Sequence, residues 1–357
     1  MKQDINPMSD HKKKLNILPM EWDDRKEGEE ILARVKAFHQ TFHTELSHVI
    51  VGQKEAIELI LIAMLCKGHV LLEGVPGLGK TLMFKTFSKA MDLDFQHVQF
   101  TPDLMPSDIL GTEIIQDNLE TKIREMKFLK GPIFAHFLLA DEINRTSPKT
   151  QAALLQAMQD REVSVGRTTY TLESPFFVLA TQNPVDQEGT YPLPEAQLDR
   201  FMFKVLIHYP KYNEELEIAK RFTQNHPMEV KKIIDCQEIE ELQKMVRGML
   251  ISENVLRYAV DLVTATRPSK QNFYSYVNDV VEWGAGPRAT LNLVLAAKAG
   301  ALLNGRLCVS YEDIRKVTPS VLRHRIKLNF AAEAEGLKNE DIISRILASV
   351  PEQGKNS

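Results

Sequence analysis

Eight consecutive residues, Gly74-Val75-Pro76-Gly77-Leu78-Gly79-Lys80-Thr81, leave few folds open to this chain, because they match Gly-x4-Gly-Lys-Ser/Thr at every fixed position. An apolar run, His69-Val70-Leu71-Leu72-Glu73, precedes them, and a helical stretch from Leu82 to Met91 follows. Strand, glycine loop and helix in that order form a cradle for a polyphosphate. The glycines let backbone N–H groups converge on phosphate oxygens, and the helix N-terminus adds its partial positive charge. Gly74, Pro76, Gly77, Leu78, Gly79 and Lys80 through Leu82 are therefore expected to contact nucleotide. Lys80 would reach the outer phosphates, and the Thr81 hydroxyl would ligate Mg²⁺. A turn that merely joined strand to helix would need neither Lys80 nor Thr81.

A second strand, expected over Ile133 to Ala140, is almost wholly apolar, as a strand covered on both faces must be. It ends in Asp141-Glu142. Ligands of open α/β sheets bind beyond the carboxyl ends of the strands, which puts this pair beside the phosphate loop. Asp141 is expected to hold Mg²⁺ through its water shell, and Glu142 to orient and polarise an attacking water. That division of labour suits hydrolysis better than transfer to a metabolite. Ser147-Pro148 then opens a helix whose Leu154, Leu155 and Met158 are core. His136 is expected to pack within the strand.

Three further polar residues have two readings each. Asn183 follows the apolar run Phe176 to Ala180 and would lie level with Asp141 and Glu142, where an amide can hold a water or a phosphate oxygen; it equally suits a turn before Pro184. Arg200 precedes a strand expected over Phe203 to Ile207. Arg288 falls in the first turn of a helix whose core face is expected to include Leu291, Leu295 and Leu302. A cation there opposes the helix dipole by about 0.3–1 kcal/mol unless a phosphate lies nearby. Both arginines equally fit surface ion pairs.

Along the chain, residues 1–26 are polar and aperiodic, the pattern of a mobile arm. Residues 27–210 alternate strands with helices, which implies right-handed crossovers and a parallel sheet. Thr112 to Leu129 and Val163 to Leu172 interrupt that alternation as hairpins, with Asp117-Asn118 and Gly166-Arg167 as turns. Residues 211–345 are helical throughout and form a smaller all-α lid, with a frayed tail over 346–357. The fold class is thus an α/β P-loop core with inserted β-hairpins, followed by that lid.

A net charge of -4 offers no general attraction for nucleic acid or anionic lipid. The three cysteines, Cys66, Cys236 and Cys308, form no close pair, so a zinc knuckle or disulfide framework is excluded and buried free thiols are expected. The N-terminus lacks the apolar core of a signal peptide, and the most apolar stretch, Leu59 to Cys66, is far short of the roughly 20 residues needed to span a bilayer. The expected compartment is cytoplasmic. Asn144-Arg145-Thr146 matches a glycosylation pattern by chance.

Taken together, these segments resemble the AAA+ ATPases and, among them, the MoxR group. The likeness runs from about Val49 to His324 through Val49-Ile50-Val51-Gly52-Gln53, the phosphate loop, Asp141-Glu142-Ile143-Asn144-Arg145 and Ala180-Thr181-Gln182-Asn183-Pro184. Its most specific segment is Glu188-Gly189-Thr190-Tyr191-Pro192-Leu193-Pro194-Glu195-Ala196-Gln197-Leu198-Asp199-Arg200-Phe201. The resemblance implies that Val51 and Gly52 line the adenine pocket and that Asn183 is the sensor-1 residue. It further implies that Arg288 is the sensor-2 arginine, and that Arg200 is an arginine finger completing a neighbour's site, with Arg145 a second candidate. By the same resemblance the two hairpins face a central pore or a client. It implies a homo-oligomeric ring of six subunits that hydrolyses MgATP to remodel or mature a client protein, with a von Willebrand factor A domain protein as a common partner. A nucleic-acid motor of the helicase-like AAA+ branch and a P-loop small-molecule kinase are the alternatives. Near-neutral charge counts against the first, and Glu142 with the helical C-terminal region counts against the second. A nucleotide-gated scaffold with negligible turnover is a further alternative.

Overall fold

The computed structural model describes residues 25–117, 124–184, 189–224, 229–270 and 273–352. The arm expected over 1–26 lies almost wholly outside them, as does Asn118 of the first expected turn. Arg25–Ser47 (α1) and Lys54–Leu65 (α2) lead into the first strand, Val70–Glu73 (β1), and the phosphate loop opens Lys80–Ala90 (α3). Phe95–Gln99 (β2) and Pro106–Leu110 (α4) precede a hairpin, Gly111–Asp117 (β3) with Arg124–Lys130 (β4). Phe137–Asp141 (β5) and Pro148–Asp160 (α5) are followed by the second hairpin, Glu162–Val165 (β6) with Thr168–Thr171 (β7). Phe177–Gln182 (β8), Glu195–Leu198 (α6) and Phe203–Leu206 (β9) complete the α/β part.

β2, β5, β8, β1 and β9 form one sheet in that order, and every neighbouring pair is parallel. Parallel neighbours need crossovers, and α3, α5 and the intervening segments supply them. Alternation along each strand divides the core in two. Val70, Leu72, Phe137, Leu139, Phe177, Leu179, Phe203 and Val205 face α1, α2, α3 and the later helices. Leu71, Leu138, Ala140, Val178 and Ala180 face α4 and α5. This double burial explains the continuous apolar runs in the sequence. At the sequence level it also overextended one strand. Pro132–Phe134 is a 3₁₀ turn and β5 begins only at Phe137, because Pro132 has no N–H for a ladder. His136 is thus just outside the strand and half-buried.

The two hairpins pack on each other: the Phe128 and Tyr170 rings stack at 4.3 Å between centroids. Gly166 occupies the left-handed region at φ 60° in the turn that joins β6 to β7.

From Tyr212 the chain is mostly helical: Tyr212–Phe222 (α7), Cys236–Gly248 (α8), Glu253–Ala265 (α9), Ser275–Val280 (α10), Pro287–Leu303 (α11) and Tyr311–Leu322 (α12). A short ladder, Val281–Trp283 (β10) with Lys327–Leu328 (β11), and two helices, Phe330–Ala334 (α13) and Asn339–Ser349 (α14), finish it. The described part of the tail expected from 346 is packed: α14 runs to Ser349 and buries Ile342, Ile343 and Ile346, and Val350 is buried after them. On α11 the expected face is also wrong at one position. Leu291 is 64% exposed, while Ala289, Leu293, Ala296 and Ala297 are buried. A helix apolar nearly all round carries little phase information, so spacing alone cannot select its face. Cys66 is buried as expected, Cys236 is half-buried and Cys308 is exposed.

Candidate nucleotide site

Gly77 and Gly79 adopt φ 85° and 70°, and a Cβ at either would meet nothing within 4 Å. The loop therefore needs glycine for its backbone conformation and not for want of space. Gly74 is under a different constraint, since a Cβ there would lie 2.9 Å from the Ile207 side chain. Lys80 Nζ donates to the Gly74 carbonyl at 2.8 Å, so its ammonium closes the loop from within. Burial lowers the Lys80 pKa, opposed by the negative charges of Asp141 and Glu142. Those three side chains thus share one electrostatic neighbourhood at the carboxyl edge of the sheet.

Asp141 ends β5, and Glu142 follows at φ 56° and ψ 49°, a left-handed conformation for a non-glycine residue. Thr181 of β8 stabilises that bend. Its hydroxyl donates to Asp141 Oδ1 at 2.5 Å and accepts from the Glu142 N–H at 2.8 Å. Gln99 of β2 donates to Glu142 Oε2 at 2.9 Å, and His97 lies 3.4 Å from Asp141 Oδ2. Arg145 Nη1 lies 3.2 Å from Glu142 Oε2, so this arginine is engaged within its own chain. Asn144 is buried, which removes the glycosylation match.

The β5–β8 register corrects one expectation. Ala140 pairs with Ala180, so the next residue along β8, Thr181, comes level with Asp141, and Asn183 lies beyond the pair. Asn183 directly follows β8 at that edge and is only 7% exposed. Thr181, Gln99 and His97 went unnoticed in the sequence because strand alternation marks them as inward or outward without saying what they meet.

Beside the loop is a cleft of about 480 Å³ whose walls are mainly apolar. Val49, Ile50 and Val51 form one side, Leu78, Leu82 and Met83 another, and Tyr209, Ile218 and Phe222 the third. It can hold a flat heteroaromatic base. Val51 lines it as expected, and Gln53 joins it. Gly52 does not line it. At φ 72°, with the Glu214 carboxylate 2.9 Å from where its Cβ would lie, Gly52 supports the wall from behind.

A region of the chain matches the model of the ATPase family associated with various cellular activities (AAA) over residues 69–203, and the AAA lid domain matches residues 274–346. The Mycobacterium tuberculosis protein named chaperone MoxR1 is 44% identical over 306 residues, covering 86% of this chain and 80% of its own. The chain belongs to the MoxR family of AAA+ ATPases. The Bacillus subtilis protein YeaC is likewise 44% identical, over 85% of this chain and 92% of its own length. Protein MoxR of Methylorubrum extorquens is 30% identical over 87% and 94%. A crystal structure from Cytophaga hutchinsonii superposes with a TM-score of 0.85 at 46% identity, covering 91% of this chain and 98% of that one. The parallel sheet core and helical lid are those of this ATP-binding family. Among the described residues, no helix is long and apolar enough to cross a membrane.

Arg200, expected to act in a neighbour's site, and Arg288, expected at the nucleotide, both lie away from the phosphate loop of their own chain. Arg200 precedes β9 and donates to the Leu155 carbonyl at 2.7 Å. Arg288 opens α11 and pairs with Asp199 at 2.9 Å. Both line a cleft of about 220 Å³ with Lys67, His69 and Arg161, at the amino end of β1. The phosphate loop is at the carboxyl end of the same four-residue strand, roughly 13 Å away at strand rise. Asp199 also receives Arg325 Nε at 2.7 Å, and this guanidinium, almost fully enclosed, donates further to the carbonyls of Met202, Val321, Asp199 and Phe201. Burial lowers its pKa to about 10, with Asp199 resisting the fall.

Proposed function

We propose that this chain binds and hydrolyses MgATP as a member of a homo-oligomeric ring, hexameric by family likeness, and spends the cycle on remodelling a client protein. The juxtaposition of Lys80 with Asp141 and Glu142 behind an open glycine loop supports this reading most directly. Loop amides and Lys80 would hold the outer phosphates, and the apolar cleft would take the base. The donor set fits Mg²⁺: the Thr81 hydroxyl and Asp141 carboxylate are oxygen ligands of the kind it requires. When bound, that ion screens phosphate charge. Glu142, steered by Gln99 and Arg145, is placed to orient water and accept its proton. Asn183 would hold the same water or a phosphate oxygen from the adjoining strand.

Arg200 and Arg288 support the ring. Lining a basic cleft remote from their own loop, they are placed to neutralise phosphate charge in a neighbour's site. The hairpins suit client contact, since Ile115, Met126 and Leu129 are exposed at 67%, 63% and 45%. A protein with a von Willebrand factor A domain, and a maturation role, belong to this reading through the family.

Turnover of ATP measured against protein concentration tests it, with Glu142→Gln as control. Rate per chain should rise with assembly, and the variant should bind nucleotide while losing at least about 100-fold in turnover. A variant as active as wild type would reject hydrolysis at this site.

A further inference from the structure

Outside the nucleotide cleft, α1 and α2 bring two histidines and a buried carboxylate to one point. His39 and His43 are four residues apart on α1, so their rings share a helix face. Glu58 comes from α2, where Ala56 to Leu65 are all buried, and is itself only 8% exposed. His39 Nε2 lies 2.6 Å and His43 Nε2 lies 2.8 Å from the same oxygen, Glu58 Oε2. The two nitrogens are 3.1 Å apart. Three ligand-type atoms thus form a nearly equilateral triangle.

Protons alone satisfy this triangle poorly. If both Nε2 atoms carry hydrogen, two N–H groups crowd one carboxylate oxygen. If one is bare, its lone pair faces the carboxylate and the other nitrogen. A single cation opposite all three atoms removes both conflicts. Tetrahedral zinc with bonds of about 2.0–2.2 Å holds its ligand atoms roughly 3.3 Å apart. The observed edges need to open by about 0.2–0.7 Å, a shift that small side-chain rotations supply. The three residues also line a cleft of about 870 Å³, which leaves room for water as a fourth ligand. Two imidazoles with one carboxylate select borderline first-row ions over Mg²⁺ or Ca²⁺.

We propose that His39, His43 and Glu58 form a binding site for a divalent first-row transition ion that cross-links α1 to α2. Ile50, Val51 and Gly52 line the same cleft, and Val51 also walls the nucleotide cleft, so the ion would brace the segment between the two.

The test uses the untagged full chain, stripped of metal and held in excess Mg²⁺, titrated with Co²⁺ and Zn²⁺. One equivalent of Co²⁺ should bind per chain with visible d–d absorption, and Zn²⁺ should displace it and raise Tm. His39→Gln/His43→Gln should lose at least ~30-fold in Zn²⁺ affinity together with the absorption and the Tm gain. The single variant His43→Gln should show the same losses in smaller measure, and serves if the double variant does not fold. Absence of stoichiometric Co²⁺ binding, or binding unchanged in a folded variant, overturns the proposal.

Discussion

The Thr181 hydroxyl donates to Asp141 Oδ1 at 2.5 Å and accepts the Glu142 N–H at 2.8 Å, so one buried side chain fixes both acidic residues. The left-handed backbone at Glu142 costs of order 1–3 kcal/mol, and persists only where its surroundings hold it. Thr181, fully buried on the adjacent strand, is that restraint.

Thr181→Val is therefore expected to keep the shape and remove the restraint. The Glu142 N–H loses its acceptor, a penalty of about 1–3 kcal/mol. ATP turnover should fall ~10–100-fold while nucleotide affinity changes less than ~3-fold, because the phosphate loop is untouched. Thr181→Ser should recover most of the loss. Steady-state turnover paired with nucleotide titration decides it; equal turnover in a folded Val variant removes Thr181 from catalysis.

The basic cleft gives a mixing experiment. Lys80→Ala chains lack a working loop but carry intact arginines, and Arg200→Ala chains have the reverse. Each alone should hydrolyse at under about 1% of the wild-type rate, since an arginine finger is worth 10³–10⁵ in related chemistry. Mixed before assembly, they should regain a measurable fraction, because some interfaces then pair a good loop with a good arginine. Arg288→Ala should complement Lys80→Ala in the same way. Failure of every mixture, with assembly confirmed, would place the arginines outside the neighbour's site.

Asp199 partners two guanidiniums of very different exposure, Arg325 at 2% and Arg288 at 44% of their side chains. Asp199→Asn leaves Arg325 buried with carbonyl acceptors but no counter-charge. A loss of about 2–4 kcal/mol is expected in urea unfolding. Arg288→Ala, which removes only the exposed partner, should cost under about 1 kcal/mol. Similar losses for both would mean that the enclosed pair is not what holds this corner of the lid.

Much of this was legible before the structure, for a physical reason. The phosphate loop and the Asp141-Glu142 pair are contiguous in sequence, and double burial writes parallel strands as unbroken apolar runs. Thr181 was not legible, because its partners are about forty residues away and the register that joins them belongs to the sheet. The same holds for Gln99, His97 and the far wall of the base cleft, where Tyr209, Ile218 and Phe222 arrive from α7 and the segment before it. Gly52 was placed in that cleft by resemblance, yet its role is steric, against Glu214. Leu291 failed differently: α11 is too uniformly apolar to declare its buried face.

His69 supplies the pH dependence. Val178 N donates to Nδ1 at 3.0 Å and Nε2 lies 3.1 Å from the Met158 carbonyl, so the ring is held as the neutral Nε2–H tautomer. Burial lowers its pKa from 6.5 to about 4. Between those values the unfolded chain binds a proton that the folded chain refuses, so stability declines as pH falls through 6.5 and this contribution levels off below 4. The full effect is about 3 kcal/mol by the size of the shift. His324, buried and lowered in the same direction, adds to it. His69→Gln can still donate to Met158 but cannot also accept from Val178, so it should lose about 1–2 kcal/mol at pH 7.5. Its stability should then fall less steeply on acidification, by at most one proton's worth, ~1.4 kcal/mol per pH unit. Urea unfolding of both proteins from pH 7.5 to 4.5 isolates that difference, because carboxylate titration is common to the two. Parallel pH profiles would show that His69 takes up its proton without unfolding the chain.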